Sequence, residues 1–266
     1  MIFGFIGTGN MGGALAAAVA KSGYSLMLAN RTPAKAEALC ARLGNGCTVA
    51  DNAAVAESCD YIFLGVKPQM MEGMLRDIAP ILARRTSPFV LISMAASLTV
   101  SAIQEMAGGV YPTIRIMPNT ACAVGQGLTL YCCGDTVSDE QRRIFLDAMA
   151  PSGVLEELEE ELIDAGSAIA GCGGAYACLF MEGLADGGVA IGLPRAKALR
   201  FARQMLLGNA ALALESGQHP GVMKDAICSP GGTTIAGVRA LEQRGFRSAA
   251  MEAVIAAYER TQELKH

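Results

Sequence analysis

The run Ile2–Ile6 is apolar and ends on a glycine-rich turn, and the alanine-rich stretch Gly12–Ser22 behind it reads as a helix. Strand then helix is the reading, and the pattern repeats. Ser25–Ala29 is a second strand, and Pro33–Leu43 a second helix with proline in its first turn. Tyr61–Val66 is another apolar strand, stopped by Lys67-Pro68 and followed by a helix through Met71–Ile78 and a strand at Phe89–Ser93. Tyr111–Met117 and Leu128–Cys132 add strands, and Ser138–Met149 is a helix opened by an N-cap serine. Such alternation predicts an α/β fold: a doubly wound, mostly parallel sheet with helices on both faces. After about Glu160 the strand signals stop. Leu162–Ala170, Ala175–Ala190, Arg195–Ser216, Thr233–Glu242 and Ser248–Leu264 all read as helix, rich in the small residues that let helices approach closely. The boundary falls near 158–160, giving an α/β domain over 1–159 and a helical domain over 160–266.

Composition sharpens the picture. The 266-residue chain is 52% hydrophobic and only 17% charged, where about 25% charged is usual. So few charges cover a monomer's surface poorly, and a sizeable part is expected to be buried by a partner chain. A net charge of −4 excludes a nucleic-acid surface, which needs clustered Lys and Arg. The uncharged runs at 1–20 and 116–134 are interrupted by glycines or by Pro118, Asn119 and Gln126, so no membrane span is expected and the protein is read as cytoplasmic. Nine cysteines without a CxxC, beside two histidines, exclude a zinc site. Free thiols in a reducing compartment are expected.

Gly7-Thr8-Gly9-Asn10-Met11-Gly12 is a GxGxxG between a predicted strand and a predicted helix. That context gives the motif its meaning: the glycines allow a tight turn and close approach of a pyrophosphate, and the helix N-terminus offers free N–H groups. A dinucleotide cofactor is expected. Sites for NAD place a carboxylate about 20 residues on, to bind the ribose 2′-hydroxyl. Here Asn30-Arg31-Thr32 begins 18 residues after Gly12. With no carboxylate to repel a 2′-phosphate and Arg31 to bind one, NADPH is favoured, and NADH stays open.

The acid–base inventory narrows the reaction. The two histidines are His219 and His266, neither in a predicted Rossmann loop, so a His-dependent hydroxy-acid dehydrogenase is excluded. Reduction of a C=N bond needs less: orientation, exclusion of water, and one hydroxyl on the nitrogen. Cys228-Ser229-Pro230-Gly231-Gly232-Thr233-Thr234 supplies hydroxyl and N–H groups in a tight turn running into a helix, which suits a small carboxylate or an ordinary helix cap.

With both motifs in hand, the chain resembles the pyrroline-5-carboxylate reductases, the last enzymes of proline synthesis. The likeness runs almost end to end, through GFIGTGNMGGAL (4–15), RIMPNTACAVGQG (115–127) and SPGGTTIAGVRALEQRGFR (229–247). It implies reduction of 1-pyrroline-5-carboxylate to L-proline by an N-terminal Rossmann domain and a C-terminal helical dimerisation domain. A homodimer is implied, with a decamer of five dimers as its further assembly. The cofactor would lie on Gly7–Gly12, Asn30–Thr32, Asn52 and Val66, Lys67, Pro68 and Gln69, with Met117 and Asn119 near the nicotinamide and Glu160 close by. Thr234 matches the residue placed at the ring nitrogen, and Ser229, Gly231, Gly232 and Thr233 match the carboxylate-holding turn. Cys172 stands where the family has a serine of the substrate site, Gly174 where it has proline, and Ala226 where an amide is common. Two other readings remain: a paralogue that has kept the fold and lost the activity, and a reductase of another cyclic imine or a small β-hydroxy acid.

Overall fold

The computed structural model describes residues 1–44 and 46–264; His266 lies outside them. The chain alternates β1 (Ile2–Ile6), α1 (Asn10–Lys21), β2 (Ser25–Ala29), α2 (Pro33–Leu43), β3 (Cys47–Val49), α3 (Asn52–Ser58), β4 (Tyr61–Leu64), α4 (Pro68–Leu82), β5 (Val90–Ser93), α5 (Val100–Ala107) and β6 (Thr113–Pro118). A 3₁₀ turn over Thr120–Val124 leads to β7 (Gly127–Cys133), α6 (Asp139–Met149) and β8 (Gly153–Glu157). The strands form one sheet in the order β3-β2-β1-β4-β5-β6-β7-β8. Each pair runs parallel except β6 and β7, which are antiparallel. Every residue of β4 and β5 is buried, as in a sheet covered on both faces. One face stacks Phe3 on Tyr61 and Phe5 on Phe63, with ring centroids 4.7 and 4.3 Å apart. On the other, a Cβ at Gly4 would meet Val55 at 2.5 Å, so glycine lets α3 lie directly on β1.

Several elements differ from the sequence expectation. α4 is longer than the predicted helix, running from Pro68 to Leu82 with Pro80 tolerated inside it. β3, α3, α5 and β8 are added. β8 turns the acidic run that begins at Glu156 partly into an edge strand, with Glu156 and Glu157 exposed at its end. His219 caps a further helix, its Nδ1 accepting from the Gly221 N–H at 3.0 Å. The expectation that all nine cysteines are free is corrected: Cys40 and Cys47 form a disulfide. The end of α2 returns to the edge strand within seven residues, bringing the two Cα atoms to 5.4 Å, inside the range of roughly 4.4–6.8 Å that a disulfide spans.

The chain divides into two compact units, one of residues 1–172 with the end of the last helix from Ala257, the other Gly173–Ala256. In the first, α7 (Glu160–Ala170) is held to the sheet by a buried ion triad. Arg115 of β6, 1% exposed, donates from Nη2 to Asp164 at 2.5 Å and from Nη1 to Glu160 at 3.4 Å. Glu160 also accepts the Val100 N–H at 2.8 Å.

The second unit is built from α8 (Gly173–Ala190), α9 (Arg195–Ser216), α10 (Pro220–Ile227), α11 (Thr233–Gln243) and most of α12 (Phe246–Glu263). α10, α11 and α12 bury none of their described residues, and Leu179, Ile191, Leu214 and Met251 stand exposed. Helices with that much apolar surface and no core of their own are made to be covered. The stretch 160–190 is long and apolar enough to cross a membrane by length and composition, although α7 and α8 are separate helices with Gly171 and Cys172 between them.

Candidate active site

The sheet order reverses between β1 and β4, and the crevice outside the carboxyl ends of parallel strands at such a switch point is where ligands bind. The turns there are locked together. The Gly7 N–H donates to the Ala29 carbonyl at 2.8 Å and the Gly65 N–H to the Ile6 carbonyl at 2.8 Å. Gly7 sits at φ +99°, and a Cβ on it would meet the Gly65 carbonyl at 2.6 Å; a Cβ on Gly12 would collide with the Gly7 carbonyl. These glycines are steric requirements of the turn. Gly9 is different: nothing lies within 4 Å of where its Cβ would be, so the backbone is bare toward the crevice.

Three helices open onto this crevice. Gly9, Thr32 and Lys67 precede α1, α2 and α4, and no side chain caps any of the three. α3 and α5, by contrast, are capped by Asp51 and Thr99. The open helix ends follow β1, β2 and β4, adjacent in the sheet, so three sets of unsatisfied N–H groups and three positive dipole ends gather on one side. Thr8 Oγ1 is buried without a partner, an arrangement costly unless a ligand completes it. The Thr8 N–H donates to Asn30 Oδ1 at 3.2 Å, and Asn30 Nδ2 donates to the Thr32 carbonyl at 2.9 Å, tying the first turn to the second. Exposed Arg31 rests its guanidinium 4.0 Å from Met70 Sδ on α4. Of the other expected cofactor residues, Asn10 and Met11 begin α1, Asn52 begins α3, and Val66, Pro68 and Gln69 lie at the start of α4.

Met117 is 9% exposed near the end of β6. Asn119 after it is fully engaged: Oδ1 accepts from the Ala121 and Leu128 N–H groups, and Nδ2 donates to the Ala170 carbonyl at 3.0 Å. Glu160 lines a different cleft, of about 680 Å³, with Asp135, Glu157, Glu159 and Glu161; no residue of the glycine-rich turn lines that cleft. Cys132 and Cys133 also border it, and burial pushes their thiols up to about 12 and about 11, which keeps the vicinal pair protonated. Sequence reasoning missed Gly65, whose signal was a glycine directly after an apolar strand. It also missed Ser97, at φ 66° the one non-glycine with positive φ among the described residues, in the loop after β5.

In the helical unit the turn before α11 has the geometry of an anion cradle. Gly231 is at φ +69°, the Gly232 N–H donates to the Ser229 carbonyl at 3.0 Å, and a Cβ on Gly232 would strike Ser229 Oγ. Gly232 precedes α11 without a side-chain cap, so the N–H groups of Thr233 and Thr234 are open. Ser229, Thr233 and Thr234 are all exposed in the single chain. Cys172, half-buried, donates its N–H to the Ser167 carbonyl at 3.0 Å. Gly174 lies in the first turn of α8 with open space at its Cβ position. Proline fits such a position, so Gly174→Pro is expected to stabilise the protein by about 0.4–1 kcal/mol, read as a higher urea midpoint at unchanged slope.

Relatives match the whole of this layout. The chain is 38% identical to a pyrroline-5-carboxylate reductase of Pisum sativum over 98% of its own length and 95% of that protein's. It is 37% identical to the one of Escherichia coli K12 over 98% and 97%. The chain belongs to the pyrroline-5-carboxylate reductase family. Residues 160–264 match the pyrroline-5-carboxylate reductase dimerisation family, and residues 2–97 match the coenzyme F420-dependent NADP oxidoreductases. Among solved structures, the Plasmodium falciparum pyrroline carboxylate reductase with NADP bound superposes with a TM-score of 0.88 at 31% identity, covering 100% of both chains. The Streptococcus pyogenes reductase gives 0.89 at 30% identity, over 99% of this chain and 98% of that one. The reductase family thus accounts for both halves, the open crevice of the first and the coreless helices of the second.

Proposed function

We propose that this chain reduces 1-pyrroline-5-carboxylate to L-proline with NADPH. The observation that carries the reading is an open, glycine-built dinucleotide crevice and an open Ser-Pro-Gly-Gly-Thr-Thr turn in one chain that aligns end to end with the reductases. The residues present fit a pyrophosphate-bearing cofactor: Gly9 is bare, α1 is uncapped, and Thr8 Oγ1 lacks a partner. NADPH supplies a hydride from its nicotinamide C4 when bound. Gly7–Gly12 hold the pyrophosphate, Asn30, Arg31 and Thr32 the 2′-phosphate end, and Asn52 and Val66–Gln69 line the rest. Met117 packs beside the nicotinamide, and Asn119 keeps the backbone after β6 in place. Glu160 serves through Arg115 and Val100, fixing α7.

Ser229 and the turn Gly231-Gly232-Thr233 hold the substrate carboxylate, which the open N–H groups of Thr233 and Thr234 meet at the positive end of α11. The Thr234 hydroxyl hydrogen-bonds the ring nitrogen. Hydride adds to C5, and the nitrogen keeps its proton, so no histidine base is needed. Cys172 replaces a hydroxyl with a weak thiol donor, which tunes substrate contacts without abolishing them. A second copy of the chain, not lipid, covers the apolar helices, and the protein works as a homodimer in the cytoplasm; light scattering tests for the decamer of five dimers.

The test is an assay of the purified protein with 1-pyrroline-5-carboxylate, NADPH and NADH in parallel, reading cofactor oxidation and proline. Proline formation supports the reading. NADPH binding without turnover would favour the inactive paralogue, and faster turnover of six-membered imines or hydroxy acids a different substrate. Arg31→Ala is expected to raise the KM for NADPH roughly tenfold to a hundredfold, the size of a charged hydrogen bond, while leaving that for NADH unchanged. An equal change for both cofactors would remove Arg31 from the 2′-phosphate site.

A further inference from the structure

We propose that Cys40 and Cys47 form a reversible thiol–disulfide site that sets how firmly α2 presents the 2′-phosphate loop to NADPH; the coupling rests on the cofactor reading above. The pair stands apart from the buried thiols of the sheet by placement, and from Cys133, Cys172, Cys178 and Cys228 by being bonded. Cys59, Cys122 and Cys132 are buried in the sheet domain, whereas Cys40 and Cys47 are partly exposed at its edge. Cys47 lies on β3, a three-residue edge strand whose one sheet neighbour is β2. Small redox partners reach such a site without unfolding the core.

α2 depends on the bond. Of its eleven residues only Ala36 and Leu39 are fully buried, and its start has no side-chain cap. At its far end it runs into Gly44 and Gly46, both at positive φ, which offer little stiffness. The disulfide is therefore a large part of what fixes this helix. Its N-terminus carries Thr32, directly after Asn30 and Arg31, and Asn30 reaches Thr8 in the glycine-rich turn. A loosened α2 must be ordered again when the 2′-phosphate binds, and that cost appears as weaker affinity.

The chemistry balances with a disulfide co-reactant such as oxidised glutathione. The thiolate of one cysteine attacks it, forming a mixed disulfide and releasing one glutathione thiol. The second cysteine then displaces the other. Two protein thiols are oxidised by two electrons, one glutathione disulfide is reduced to two thiols, and the two protein protons pass to them. An excess of glutathione thiol reverses the sequence.

The experiment equilibrates the full-length protein at graded ratios of reduced to oxidised glutathione. It maps the Cys40–Cys47 pair by alkylation and mass, and follows hydrogen exchange over 30–43 and NADPH affinity in the same samples. The closed pair is expected to slow exchange in α2 severalfold and to bind NADPH roughly three- to tenfold more tightly than the open pair, the scale of ordering one side chain. Cys40→Ser is expected to hold the weaker affinity at every ratio. If both thiols stay alkylatable throughout, or if α2 exchange and NADPH affinity are the same in both states, the proposal falls while the reductase reading stands. If α2 responds to glutathione but NADPH binds in neither state, the cofactor reading falls, and the coupling with it.

Discussion

Replacing Thr234 by alanine is expected to lower kcat roughly a hundredfold, the usual scale for removing a hydroxyl that serves the reacting nitrogen, with NADPH affinity unchanged. The reason is positional. Thr234 is the second residue of α11, following a turn that gives the helix no side-chain cap, so its hydroxyl stands beside the proposed carboxylate cradle. Thr234→Ser keeps the hydroxyl and is expected to restore most of the rate, which a purely steric role would not allow. Turnover of the alanine variant at the wild-type rate would sink the assignment.

Arg115→Met is expected to destabilise the protein by about 3–5 kcal/mol, because it leaves the Asp164 carboxylate buried without its guanidinium partner. A double variant, Arg115→Met with Asp164→Leu, is expected to recover most of that loss, since two packed apolar side chains avoid burying a carboxylate that has lost its guanidinium. Urea midpoints of the two variants decide it. If the double variant is no more stable than the single one, the triad does more than neutralise charge.

The elements that were legible are those whose pattern is unambiguous. β1, β2 and α2 begin and end as the sequence predicts, because a buried strand of parallel type reads as an unbroken apolar run and Pro33 fixes the start of α2. β3 escaped notice because three half-exposed residues on a sheet edge carry no periodicity, and β8 because its glutamates look like a solvated loop. The GxGxxG turn was readable from local context alone. The role of Glu160 was not: its partner is Arg115, 45 residues away, and the available hint was an arginine inside a strand otherwise built to be buried. Nor does the spacing of Cys40 and Cys47 announce a bond, which follows only from β3 lying beside β2.

The helices that bury nothing of their own have a kinetic consequence. If α10, α11 and α12 gain their core only from a second copy, completing the molecule is a second-order reaction. Its rate scales with the square of chain concentration, and the half-time for regaining activity after denaturation doubles with each twofold dilution. The α/β half, which has its own buried clusters on both faces of the sheet, closes first at a rate independent of concentration. In a dilute refolding mixture, chains with a finished crevice are therefore expected to wait for a neighbour.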